Sequence, residues 1–318
     1  MKTYEEFADE MLAKIPEYLP EEMQECDFKI QKIRKTNGVE LDGIVMMPPE
    51  GAYDFASPII YPEDFYHLYA EENQSESVLL SQAAKIFSDS RGMAKVLTAD
   101  YIRDVSRWIP VIVNTERNKE LLADCPHHRF GKTDCSVMYK AIFKGEAFGD
   151  GSASVSNGLA EAVGFTEREI FELAKENVKE LAPTVIKNFD EFANSGGMST
   201  IDIDSDEPIV PDVVIVTNPD GYFGAGSIID TTILEQLSER MGGDLIIIPS
   251  SIHEVLITKE NVSNGMSVKD FENMVQEINH SVVNENDFLS DHVFFYDRKE
   301  KTITMPCAEK KREERDAR

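Results

Sequence analysis

The sequence predicts an α+β fold in which mixed or mainly antiparallel sheets are packed by amphipathic helices. Three observations carry this expectation. Apolar alternation comes in pairs of segments joined by short turns, at 28–45, 245–258 and 292–305. Helix-period stripes with capping signals stand between those pairs. Strands do not alternate singly with helices, as a doubly wound parallel sheet would require.

The elements follow in order. Tyr4, Phe7, Ala8, Met11 and Ile15 share one face, with acids opposite, so residues 4–15 predict a helix closed by Pro16 or Pro20. Phe28 and Ile30 alternate with polar residues, Asn37-Gly38 tolerates the positive φ of a tight turn, and Val39, Leu41 and Val45 resume the alternation, which is a hairpin signal. Pro58–Tyr61 reads as extended, 63–71 and 76–89 as helices, and Trp108–Asn114 and Cys135–Phe143 as strands, the latter followed by a Gly-rich turn at Gly145–Gly151. Thr166-Glu-Arg-Glu169 has capping-box spacing and opens a stripe of Ile170, Leu173, Ala174, Val178 and Leu181, interrupted by Asn177. Val213–Thr217 is a β-branched strand. Ser227–Asp230 reads as another capped start, leading a helix that buries Ile229, Ile233, Leu237 and Met241 and stops at Gly242-Gly243. Asp244–Ile248 and Ile252–Thr258 are strands about Pro249-Ser250-Ser251. Ser267–Asp270 caps a helix through Val268, Phe271, Met274, Val275 and Ile278, and His292–Tyr296 pairs with Thr302–Met305. A shift to Gly, Ser, Pro and Asp around Ser195–Pro211 marks the best boundary. The expected organisation is an α+β region at 1–115, a strand–helix region at 116–198, an acidic linker or loop at 199–211, an α+β region at 212–307 and a charged tail at 308–318.

Among 318 residues, 59 are acidic and 32 basic, a formal charge of −27. Hydrophobic residues at 42% are too abundant for a disordered acidic polymer, so a core is expected. The charge argues against nucleic acid and anionic membrane as partners, and favours a protein or basic ligand. Acids at the N-terminus stand where an export signal needs a basic start, no apolar run approaches a membrane span, and Cys26, Cys125, Cys135 and Cys307 form no disulfide framework. A soluble cytoplasmic protein without a cofactor is expected.

Most catalytic motifs fail on spacing. The first glycine of a phosphate loop ending at Gly131-Lys132-Thr133 falls on Pro126. Gly149-Asp-Gly151 and Gly224-Ala-Gly226 lack the third glycine of a dinucleotide turn. Asp202, Asp204 and Asp206 copy the start of a calcium loop, but Glu207 and Val213 occupy the positions that need Gly and Glu. Cys125, His127, His128 and Cys135 are zinc-type ligands within eleven positions, a weak metal candidate because their spacing is too tight for a knuckle. Ser250, Ser251, His253 and Glu254, with Asp291 and His292 after Ser290, bring hydroxyl, imidazole and carboxylate groups to strand ends. They are the catalytic candidates, to be combined across the sheet with Asp291 or Glu254 as the orienting carboxylate. The alternative is that the serines close turns and the histidines bond backbone. Asn114, Asn118 and Asn177 are binding candidates, or amides satisfied by backbone.

The segments KTNGVELDGIV, SPIIYPEDFY, IVNTERNKELL, GSASVSNGL, GGDLIIIPSSIHEVLIT and FLSDHVFFYDR, with the helix containing LAKEN, resemble in order a domain-of-unknown-function family common in clostridial gut bacteria. The Asn177 helix and the GGDLIIIPSSIHEVLI hairpin are also similar, more faintly, to a second uncharacterised family of bacilli. Neither resemblance implies a reaction. It places Asn114, Asn118, Asn177, Ser250, Ser251, His253, Glu254, Asp291 and His292 in motif positions. The leading expectation is a non-catalytic binding or interaction protein, and the alternative is a hydrolase or transferase using the 250–254 and 290–292 segments.

Overall fold

In the computed structural model, residues 2–47, 58–89, 102–143, 151–191, 199–205, 207–260 and 267–305 are described. Residues 145–150 of the Gly-rich turn, 195–198 and 206 of the acidic boundary, Cys307 and the charged tail lie outside them. Contacts divide the chain into two units, one of Met1–Lys35, Val39–Asp104 and Phe143–Ser152, the other of Thr36–Gly38, Val105–Ile142 and Ala153–Arg318.

In the first unit, Thr3 caps helix α1 (Tyr4–Lys14), its hydroxyl accepting the Glu6 amide while the Glu6 carboxylate returns to the Thr3 amide. The helix buries Phe7, Ala8 and Met11, the predicted face. Helices α2 (Pro62–Ala70) and α3 (Glu76–Asp89) complete a core that includes Ile15, Ile44, Leu79 and Phe87. The predicted hairpin is present: β1 (Asp27–Arg34) pairs antiparallel with β2 (Glu40–Met47), which also pairs with β3 (Ile59–Ile60). Its turn holds Asn37 at φ 60° and Gly38 at φ 71°, the left-handed conformation for which Asn-Gly is suited.

The second unit holds two sheets. β4 (Trp108–Asn114), β6 (Cys135–Phe143) and β5 (His127–Arg129) lie in that order, with β7 (Gly151–Ser154) also on β6. Pro110 is tolerated because β4 is an edge strand. The larger sheet is antiparallel throughout, in the order β14 (Thr302–Thr304), β13 (Phe294–Asp297), β11 (Leu245–Ser251), β12 (Glu254–Lys259), β10 (Val213–Thr217), β8 (Val185–Asn188) and β9 (Thr200–Ile201). Its helices, after α4 (Lys119–Ala123), α5 (Asn157–Val163) and α6 (Glu167–Leu181), are α7 (Thr231–Met241) and α8 (Val268–Ser281). Strand alternation divides the apolar side chains of β11 between two cores. Leu245 and Ile247 join Val111, Val137, Leu234 and Leu237 on one face, while Ile246 and Ile248 meet Phe271 and Val275 of α8 on the other. No helix among the described residues is long and apolar enough to cross a membrane.

Capping boxes stand at Thr166–Glu169 and Ser267–Asp270, as the spacing predicts. Two local expectations are corrected. The helix read from Ser227 starts later: residues Gly224–Ile229 form a buried 3-10 segment, Ser227 Oγ donates to the Thr217 carbonyl, and Asp230 is the true cap of α7. Leu173 of the α6 stripe is 39% exposed, so the buried face of that helix is narrower than its sequence stripe.

Candidate functional site

Pro249 cannot donate to a ladder, and the pairing of β11 with β12 shifts register between Pro249 and Ser251. The chain then reverses through Ile252 and His253. Ser251 Oγ accepts the His253 amide at 3.0 Å, so this serine closes the turn. Ile252 anchors it: its N–H donates to the Asp287 carbonyl at 2.8 Å and its carbonyl accepts from the Ala225 amide.

The His253 ring is thereby brought between two loops. Nδ1 accepts the Phe223 amide at 3.2 Å, and Nε2 lies 3.2 Å from Asp287 Oδ1. Because a backbone N–H can only donate, the neutral ring carries its proton on Nε2, which donates to Asp287. The loop presenting that amide is itself clamped. Asn218 Nδ2 donates to the Tyr222 carbonyl and its Oδ1 accepts the Tyr222 amide, while Thr217 Oγ1 donates to the His253 carbonyl at 2.8 Å. Phe223 sits at φ 57°, a strained conformation for a residue with a side chain. Next to it Gly224 is required, since a Cβ there would lie 2.3 Å from Thr217 Oγ1 and 2.4 Å from the His253 carbonyl. The Tyr222 ring stacks on the imidazole at 5.5 Å and 24° and is 46% exposed. The result is a rigid, part-exposed imidazole with a carboxylate at one nitrogen and a tyrosine on its face.

The carboxylate differs from both sequence candidates. Glu254 accepts from Ser250 Oγ at 3.3 Å, and Asp291 accepts from Asn279 Nδ2 at 2.9 Å. Ser290 donates to Asp134, and His292 Nδ1 lies 3.4 Å from Glu272 Oε1 on α8. The 250–254 and 290–292 segments reach the same end of the sheet, as the β11–β13 register requires, but their side chains take separate partners. Asp287, the actual partner of His253, carries no periodicity or motif signal in its Asn-Glu-Asn-Asp-Phe context.

The chain belongs to a family of unknown function, DUF5688, whose model matches residues 4–298. No curated protein and no solved structure matches the chain. The DUF5688 match includes every polar cluster of the second unit described above.

The remaining candidates of this DUF5688 chain are placed as follows. Asn114 Nδ2 donates to Asp134 and to the Leu289 carbonyl, and its Oδ1 accepts the Arg117 amide. Asn118 exchanges bonds with Asn37, whose Nδ2 also donates to the carbonyls of Glu285, Asn286 and Phe288. Asn177 Nδ2 donates to the Val105 and Trp108 carbonyls, which explains a polar residue on the apolar stripe of α6. These amides hold backbone.

Cys125, His127, His128 and Cys135 do not converge, and no group of three or more His, Cys, Asp or Glu among the described residues is arranged to hold a metal. Neighbours on β5 point apart: His127 Nδ1 meets the Cys125 carbonyl at 2.9 Å, whereas His128 Nδ1 meets Glu167 Oε1 at 2.7 Å. Cys135 is buried beside Asp134 and the Leu289 carbonyl, and burial pushes the thiols of both Cys125 and Cys135 up. Tyr139, also buried, donates to the same Glu167 oxygen as His128. Its burial, then that bond, hold the phenol protonated well above its ordinary range.

Proposed function

We propose that the DUF5688 chain is a cytoplasmic binding protein for a protein or basic ligand, with no chemistry of its own. The observation that supports this reading is the double engagement of the His253 ring. A general base needs a lone pair aimed at the proton it removes. Here the Nδ1 lone pair accepts a backbone amide and Nε2 faces Asp287. Neither Ser250 nor Ser251 bonds the ring: one donates to Glu254, and the other accepts the His253 amide. Neither serine is therefore activated by this ring as a nucleophile. The formal charge of −27 favours approach of cations and repels phosphate backbones.

A hydrolase or transferase reading draws support from the His253–Asp287 pair itself, an imidazole oriented by a carboxylate. A serine-reactive fluorophosphonate probe separates the two. The binding reading expects no label on Ser250 or Ser251. It also expects a partner recovered from native lysate at low salt, released at high salt, that rebinds when purified. Label on either serine that disappears in His253→Ala would overturn it in favour of catalysis.

A further inference from the structure

The loop that precedes the Gly224–Ile229 segment is held at two successive amides by acceptors of different kinds. The Tyr222 N–H donates to Asn218 Oδ1, an amide oxygen that accepts at any pH near neutrality. The Phe223 N–H donates to His253 Nδ1, its one hydrogen bond among the described residues. An imidazole nitrogen accepts only while it carries no proton, and histidine ordinarily changes charge between pH 5 and 8. The His253 side chain is 25% exposed, so solvent protons reach it.

A ring protonated on both nitrogens would turn Nδ1–H toward the Phe223 N–H, two donors with no acceptor between them. One side must give way, and the surroundings decide which. The ring is held, because Nε2 lies 3.2 Å from Asp287 Oδ1 and a charged ring strengthens that pair. The Tyr222 face stacked on the ring is compatible with a cation, and Tyr222 is itself clamped by Asn218 through both its amide and its carbonyl. Phe223 is the weaker side, since its backbone sits at φ 57° and relaxes on leaving the left-handed region. The other ionisable groups on the elements packed here do not contact the ring. Lys140 of β6 stands 5.6 Å from the Phe223 ring, Glu254 of β12 accepts from Ser250 Oγ, and Asp220 and Glu285 are exposed on the flanking segments.

We infer that His253 is an acid-sensitive latch: the neutral ring holds the Phe223 backbone in its left-handed conformation, and protonation at Nδ1 releases it. The bistable element is the Phe223 backbone, and the charge change that biases it is on the imidazole. This regulation goes beyond the binding reading and does not depend on which ligand the chain takes.

The test follows amide hydrogen exchange by NMR in the purified full chain from pH 8 to pH 5, corrected for the intrinsic pH dependence of exchange, with the His253 ring carbon shift recorded in the same samples. The protection of the Phe223 amide is expected to fall about tenfold in step with the ring titration, the loss of one hydrogen bond. The Tyr222 amide, held by Asn218, should change less than about twofold and so separates latch release from general acid unfolding. His253→Asn supplies an uncharged amide oxygen in place of Nδ1, and the Phe223 amide should then keep a protection that does not vary with pH. A ring that titrates while Phe223 stays protected would overturn the inference. So would a ring that takes up no proton down to pH 5, equal loss at Tyr222 and Phe223, or the same pH-dependent loss in His253→Asn.

Discussion

Tyr296 is wholly buried in β13, yet its hydroxyl has no hydrogen-bond partner among the described residues. An unpaired buried donor loses its hydration without compensation. Tyr296→Phe is therefore expected to leave stability unchanged or to raise it by up to about 1 kcal/mol, read as a higher urea midpoint at unchanged slope. A loss of more than about 1 kcal/mol would show that the hydroxyl is satisfied. His253 is the opposite case, since every polar atom of its ring is used. The residues of its turn are legible in the sequence because Pro249-Ser250-Ser251 breaks an apolar run. Its partner is not, because Asp287 lies 34 positions downstream and meets it only through folding. Asn177 is legible as an anomaly but not in its outcome, since the Val105 and Trp108 carbonyls come from about 70 residues away.

Helix starts are the most legible elements. At Thr166 and Ser267 the box is local in sequence, so spacing alone identifies it. Hydrogen bonds from Thr166 hold the Glu169 carboxyl below its ordinary value, and those from Ser267 do the same for Asp270. A lowered native value means a contribution present above the unfolded values of 4.5 and 3.8, and lost as pH falls through the lowered ones. Thermal midpoints from neutral pH downward should thus fall less steeply below 4.5 in Glu169→Gln/Asp270→Asn than in the parent chain. A steeper fall in the variant would contradict the assignment. The start read at Ser227 misleads because the same spacing serves a buried 3-10 segment. Tertiary contact with Thr217, absent from local sequence, takes the serine for β10.

At the scale of the whole molecule, the α+β class is legible because paired strands and separate helices leave different periodicities. The order β14-β13-β11-β12-β10-β8-β9 is not, since β10 pairs with strands that precede and follow it in sequence. The functional reading joins two properties of the DUF5688 chain: an excess of 27 negative charges, and a strained polar turn whose imidazole is committed to holding loops. The state of the Nδ1 lone pair distinguishes that role from catalysis. A base oriented by a carboxylate carries its proton on the nitrogen facing the acid and leaves the other lone pair for the substrate. In His253 that other lone pair accepts the Phe223 amide. Long-range ¹H–¹⁵N NMR of the imidazole nitrogens at about pH 8, where an unperturbed ring is neutral, tests this most directly. A single Nε2–H tautomer with Nδ1 shifted by an accepted hydrogen bond is the predicted result. A Nδ1–H tautomer, or an Nδ1 lone pair with the chemical shift of an unbonded nitrogen, would contradict it.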